Sequence, residues 1–335
     1  MKKINIVAWH NAGGLSRDVD ILVSALCPDE FDITLNGQPV SEAPILNRRI
    51  YHRIRNRGKA VFNLHNKSKP PYDINLFVED IVPGLFGFAY ENFFLPNPEW
   101  FKPNQRKHLA GIDRVLCKTR SAVSIYEAMG SKCVFISFTS DDRLDNEVTR
   151  RHDGACLHLA GRSWQKGTRA LTDLWQQHPE WPTLRVVQNA KTYRHSSVAP
   201  VRASNIDHIL EHVDDKSLKH LQNSHRIHLC PSEAEGFGHC IAEAMSCRAL
   251  TLTTNAPPMN ELIAPERGLL VNYSRSAPQC AGDAFFVNPD DLKDKVHKIF
   301  DMTEAQISQL GDSARSWYEL NDREFRKTFA LVLSQ

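Results

Sequence analysis

The sequence predicts an α/β protein of two doubly wound domains, each built on a parallel sheet covered by helices on both faces. Three observations carry that expectation. Short apolar runs rich in Val, Ile and Leu recur along the chain with helical patterns between many of them, as in strands buried by crossover helices. The runs fall into two successive sets of about six. The length of 335 residues also exceeds what one core usually serves, since single cores stop growing at about 250–300 residues.

In the first set the runs are Ile4–Trp9, Ile33–Leu35, Ala60–Leu64, Ile74–Val78, Val115–Cys117 and Val134–Ile136. The second set comprises Ala155–Leu159, Leu184–Val187, Ile206–Leu210, Ile227–Cys230, Leu250–Thr253 and Leu269–Val271. Between the sets, the polar stretch Thr139–Asp153 carries no apolar periodicity and marks the boundary, giving domains 1–148 and 149–335. The segment Ser313–Ser334 places Trp317, Leu320, Phe325, Phe329 and Val332 near helical spacing. It follows the last strand and is free to pack on either domain. Phe86, Phe88, Tyr90, Phe93, Phe94, Trp100 and Phe101 lie in a Pro- and Gly-broken segment, which reads as an irregular loop packed on the first domain.

Composition narrows the function classes. Lys and Arg number 41 against 39 for Asp and Glu, a net charge of +2, which argues against a dedicated nucleic-acid binder with its strongly basic face. An apolar content of 41% with 24% charged residues excludes wholesale disorder. The run Ile4–Trp9 is too short for a signal-peptide core or a bilayer span. Eight cysteines are scattered without a C-x-x-C pair and read as small buried hydrophobes of a reducing compartment, so a cytoplasmic location is expected. His225 and His228 stand three apart with no second ligand pair near them, and no metal site is expected.

The stretch from Cys230 to Ser246, CPSEAEGFGHCIAEAMS, carries the chemistry. A strand ends near Cys230, a loop holds Glu233, Glu235, Gly236 and Gly238, and a helix begins near Gly238. The glycines allow a sharp turn and a close backbone approach to a ligand. Free N–H groups and the positive end of the helix dipole favour an anion such as a pyrophosphate. About five helical residues set Glu235 and Glu243 roughly 7–8 Å apart along the axis. Two acceptors flanking an anion site suit a molecule with hydroxyls at both ends and phosphates between, as in a nucleotide sugar.

The pattern Glu235-Gly-Phe-Gly-His-Cys-Ile-Ala-Glu243 resembles the E-x7-E signature of the retaining nucleotide-sugar glycosyltransferases known as group 1 or family 4. Gly161-Arg162-Ser-Trp-Gln-Lys166-Gly167 is similar to that family's G-R-x-x-x-K-G segment, and Gly13-Gly14-Leu15 to its first-domain glycine loop. Thr253–Leu262 and Gly268–Val271 also look like the family. The resemblance is strong over the second domain and loose over the first. It implies the GT-B fold, two Rossmann-like domains facing across a cleft, and retention of anomeric configuration without a metal or other cofactor. It places Glu235 and the backbone of Gly236, Phe237 and Gly238 on the donor sugar and phosphates, Arg162 and Lys166 on the pyrophosphate, and Glu243 on the ribose. Gly13 and Gly14 would face the donor. Physical reasoning agrees for Arg162 and Lys166, which follow the carboxyl end of a strand, where open α/β sheets bind ligands.

The donor base and sugar stay open, UDP- or GDP-linked. The acceptor is expected to be a glycan or lipid-linked glycan. His10, His65, Glu79 and Asp80 are the acceptor-side candidates at first-domain strand ends; each carboxylate is equally readable as a helix cap or loop anchor, and each histidine as a satisfied polar residue. Arg48–Lys59 has a basic surface around a narrow stripe of Ile50 and Ile54. A solvated helix accounts for it better than peripheral contact with an anionic membrane, which stays the alternative. A nucleotide-sugar epimerase or a binding protein without turnover would keep the same pocket.

Overall fold

The computed structural model describes residues 1–9, 14–39, 69–190 and 203–335. They form two compact units, one of Met1–Ser140 with Cys280–Gly282 and Asp322–Gln335, the other of Asp141–Gln279 with Asp283–Asn321. No helix among them is long and apolar enough to cross a membrane.

The first unit holds β1 (Lys2–Val7), β2 (Phe31–Leu35), β3 (Gln38–Pro39), β4 (Tyr72–Val78), β5 (Ala89–Leu95), β6 (Arg114–Cys117) and β7 (Cys133–Phe135), in the order β3-β2-β1-β4-β5-β6-β7. Every pairing is parallel except the short β2–β3 turn-back. Ile4, Ile6, Leu76 and Phe77 are at most 1% exposed, which explains why the central strands read as continuous apolar runs rather than alternating ones. Inside this sheet, Asn5, Asn75 and Asn92 sit opposite one another on β1, β4 and β5. Asn5 Nδ2 donates to Asn75 Oδ1 at 3.0 Å, and Asn75 Nδ2 to Asn92 Oδ1 at 3.1 Å, a ladder that only one strand register satisfies. Helix α1 (Gly14–Ser24) follows β1, and α2 (Arg120–Glu127) is capped by Thr119, whose hydroxyl accepts from Ala122 N at 3.2 Å.

The aromatic segment corrects the expectation of an irregular loop. Residues Ala89–Leu95 of that segment form β5, an interior strand of the sheet between β4 and β6, with Phe93 and Phe94 exposed by only 1% and 0%. The Pro and Gly breakers lie on either side, at Pro83, Gly84, Gly87, Pro96 and Pro98, and leave the strand itself uninterrupted. Phe101 packs on Phe94 and Tyr126, while Tyr90 and Trp100 are exposed.

The second unit has β8 (Cys156–Gly161), β9 (Leu184–Gln188), β10 (Ile206–Ile209), β11 (Ile227–Cys230), β12 (Leu250–Thr254) and β13 (Leu269–Val271), all parallel, in the order β10-β9-β8-β11-β12-β13. The chain winds outward from β8 to β10 and then returns to β11, so winding reverses between β8 and β11. In open α/β sheets ligands bind at such a switch point, beyond the strands' carboxyl ends. Helices α3 (Thr168–Gln177), α4 (Asp215–Ser224), α5 (His239–Ser246), α6 (Met259–Leu262) and α7 (Pro289–Phe300) follow in chain order, with a ribbon of β14 (Tyr273–Gln279) and β15 (Gly282–Val287) before α7. A single helix, α8 (Glu304–Ser334), ends the chain. Its last part belongs to the first unit, where Phe325 meets Phe138 at a centroid distance of 4.9 Å.

Two histidines in the second sheet are buried neutral. His158 on β8 donates through Nδ1 to the Leu229 carbonyl at 2.7 Å, and its Nε2 accepts from the Thr168 hydroxyl at 2.9 Å. His228 on β11 donates to the Gln222 carbonyl at 3.0 Å. Burial pulls their pKa values down from 6.5 to about 4 and about 3. The unfolded chain therefore binds protons that the folded chain refuses, and stability falls as pH drops from about 6.5 toward 4. Each histidine should contribute a slope near 1 kcal/mol per pH unit in that window. Urea midpoints measured at pH 7, 6 and 5 check this, and His158→Gln should flatten the slope; an unchanged slope in that variant would contradict the assignment.

Candidate active site

At the switch point two loops meet. One leaves β8 through Gly161 and Arg162 to Lys166 and Gly167; the other leaves β11 through Pro231 to Gly238. Gly167 has φ +68°, and a Cβ there would stand 2.1 Å from the Pro231 carbonyl oxygen. Only glycine permits both the left-handed backbone and that approach. The loops are further tied where Glu233 N donates to the Gln165 carbonyl at 2.8 Å, and Phe285 N of β15 donates to the Glu233 carbonyl at 2.7 Å.

This packing brings Lys166 and Glu235 together. Lys166 Nζ donates to Glu235 Oε1, and the Ser232 hydroxyl donates to the same oxygen at 2.6 Å. Their side chains are 15% and 9% exposed, so the pair is shielded but within reach of a ligand. Cys240 Sγ lies 3.6 Å from Lys166 Nζ and 3.7 Å from Glu235 Oε1. Burial opposes the Lys166 charge, but the neighbouring Cys240 and Glu235 outweigh it and hold its pKa above the ordinary lysine value. The ammonium stays charged at any physiological pH.

Gly238 begins α5 with φ +111°, and its carbonyl accepts from Ile241 N and Ala242 N at 3.0 Å each. Gly236 and Phe237 are buried beside it. Glu243, the fifth residue of α5, is only 3% exposed; its Oε2 accepts from Gln222 Nε2 at 2.7 Å. Gln222 Oε1 in turn accepts from Arg143 Nε at 2.9 Å, and Arg143 pairs with Asp215. That chain of bonds fixes the carboxylate's orientation. Arg162, directly after β8, is exposed. Burial raises the Glu233 carboxyl, which the Arg275 charge partly offsets.

In the first unit, Gly14 is the first residue of α1, while Gly13, His10, His65 and Arg48–Lys59 lie outside the described residues. Glu79 follows β4 in a left-handed conformation, φ +67°. Its Oε2 accepts from Asn97 at 3.1 Å; Asn97 Oδ1 accepts from Lys118 at 2.9 Å, and Lys118 is paired with the buried Asp18. Burial raises the Glu79 pKa from 4.5 to about 7 despite the Asn97 bond. Asp80 Oδ1 accepts from Gln105 Nε2 at 2.7 Å. Sequence reasoning missed Ser232, Cys240, Gln222 and Arg143. Ser232 alone carried a usable signal, three residues before Glu235 in the same loop.

Two doubly wound α/β units, one holding a lysine, a carboxylate and a glycine-started helix at its switch point, define a GT-B architecture. Residues 169–283 match the family described as glycosyl transferases group 1. The resemblance to that family therefore stands, carried by the second unit. No curated protein sequence matches the chain. Among solved structures, it is similar to sucrose-phosphate synthase of Thermosynechococcus elongatus, at TM-score 0.73 and 14% identity over 99% of this chain and 98% of that one. A glycosyltransferase of Rickettsia africae gives TM-score 0.72 and 15% identity over 99% and 97% of the two chains. HepE of Anabaena, solved with UDP and glucose, gives 0.70 and 13% with both chains fully covered. At these identities the likeness establishes the fold.

Proposed function

We propose that the chain is a glycosyltransferase that moves a sugar from a nucleoside-diphosphate donor to a hydroxyl of a glycan or lipid-linked glycan, in the cytoplasm. The second unit would take the nucleotide sugar and the first unit the acceptor. The observation that carries the reading is the Lys166–Glu235 pair at the switch point beside the start of α5. It sets a fixed positive charge next to a hydroxyl acceptor, as a diphosphate joined to a sugar requires. The UDP and glucose held by HepE support the donor class.

Lys166 and Arg162 would neutralise the departing diphosphate, an electrostatic device that serves in place of a metal ion. Glu235 would accept from sugar hydroxyls, and the backbone of Gly236, Phe237 and Gly238 would approach the sugar and phosphates. Glu243, oriented by Gln222, would accept from the ribose. Retention of configuration follows from the family resemblance. On the acceptor side, Glu79 and Asp80 are the described candidates.

Both basic residues act on a group shared by donor and free nucleotide. Arg162→Ala and Lys166→Ala should therefore each weaken UDP or GDP binding about tenfold in calorimetry, roughly 1.4 kcal/mol. Unchanged affinity for both nucleotides in both variants would remove these residues from the site. Incubation with UDP- and GDP-sugars then separates the activities: slow nucleotide release marks a transferase, an altered sugar an epimerase, and binding without turnover neither.

A further inference from the structure

Among the eight cysteines, Cys240 is singled out by its surroundings. It is the second residue of α5, at the helix's positive end, and it is partly exposed. Its sulfur is within hydrogen-bond reach of the Lys166 ammonium at 3.6 Å and of the Glu235 carboxylate at 3.7 Å. The sulfur of Cys230, at the end of β11, is its hydrogen-bonding neighbour, and the Glu243 charge also acts on it. None of the roles assigned above uses a thiol there. Cationic contact, a helix N-terminus and partial exposure together are the conditions that convert a cysteine from a packing residue into a nucleophile.

We propose that Cys240 is a thiol-modification site of this chain, which exchanges with small-molecule disulfides ahead of the exposed Cys27 and Cys280. The thiolate, held by Lys166, attacks one sulfur of the disulfide RSSR. The S–S bond breaks, a Cys240–S–S–R bond forms, and the departing RS⁻ takes up the proton that the Cys240 thiol gave up, leaving as RSH. The disulfide is the oxidant, and one equivalent of Cys240 thiol is oxidised for each RSH released. Contact with Cys230 and Lys166 draws the Cys240 thiol below the ordinary cysteine range against the opposing effects of burial and of the Glu235 and Glu243 carboxylates, while Cys230 is pushed up and stays protonated. An adduct at this position stands against Lys166 and Glu235. On the donor-site reading above, it and a bound nucleotide exclude each other.

The test is thiol labelling of the folded full-length chain with an aromatic disulfide (Ellman's reagent), with the labelled positions identified by peptide mass spectrometry. A single fast phase is expected at Cys240, about tenfold faster than Cys27 and Cys280. Cys240→Ser should remove that phase, and Lys166→Met should slow it about tenfold with the far-UV dichroism unchanged. If that variant does not fold, Lys166→Arg, which keeps the charge, should preserve the fast phase. First labelling at Cys27 or Cys280 overturns the proposal, as does a rate at Cys240 indifferent to Lys166→Met. The effect of saturating UDP tells the two readings apart. Protection of Cys240 supports both; a fast phase at Cys240 that UDP leaves unchanged upholds the thiol chemistry and counts against the donor site.

Discussion

Glu235→Gln should slow sugar transfer by on the order of a hundredfold, while binding UDP or GDP at least as tightly as the unaltered chain. The two halves of this expectation have separate causes. Glu235 Oε1 receives bonds from both Lys166 and Ser232, so without a ligand the carboxylate occupies the lysine that a diphosphate would use. Removing its charge frees Lys166 for the phosphates. Transfer suffers because a charged acceptor to sugar hydroxyls is worth about 1.5–3 kcal/mol, more if the contact tightens as positive charge builds at the anomeric carbon. A hundredfold loss corresponds to about 2.7 kcal/mol. Glu233→Gln is the control: Glu233 lies two residues earlier, is held through its backbone, and does not share the Lys166 contact. Equal losses of transfer in the two variants would mean that the loop acts as a whole rather than through Glu235. A Glu235→Gln variant that lost nucleotide binding in step with transfer would show the carboxylate to be a structural anchor for Lys166.

Much of the second unit was legible in the sequence because its signals are local. Strands buried on both faces announce themselves as short apolar runs, and each of the six runs in the second set falls on a strand of the parallel sheet. Glu235, Lys166 and Gly238 were legible too, because glycine at a forced backbone conformation and charge at a strand end leave their mark residue by residue. Strand β5 was hidden for the opposite reason: its apolar residues are aromatic and lie among prolines and glycines, so local composition mimicked a loop. The stretch Thr139–Asp153 read only as a polar boundary without apolar periodicity. In the structure Arg143 is 8% exposed, its N–H donates to Ser246 Oγ at 3.0 Å and its side chain orients Gln222, 79 positions later, toward Glu243. Such a support appears only when distant segments meet. The same holds for Cys240, which is unremarkable in a scattered set of cysteines until Lys166 lies beside it.

Gly167→Ala should be the most damaging single-methyl change near the site. Two effects coincide there. The backbone sits at φ +68°, in the left-handed region, and the added methyl would meet the Pro231 carbonyl oxygen at 2.1 Å, a backbone atom that cannot swing aside. Strain of that kind with forced displacement of a packed loop costs about 3 kcal/mol, which far-UV dichroism in a urea titration would read as a lowered midpoint. Because Lys166 is the adjoining residue and Pro231 opens the loop that carries Glu235, the displacement parts the pair, and nucleotide affinity should fall along with stability. Gly161→Ala separates the two contributions. Gly161 is also left-handed, at φ +53°, but a methyl there meets nothing within 4 Å. It should cost only the conformational part, about 1 kcal/mol, with nucleotide binding retained. Equal destabilisation by the two substitutions would mean that the backbone conformation, and not the contact between the loops, holds Lys166 against Glu235.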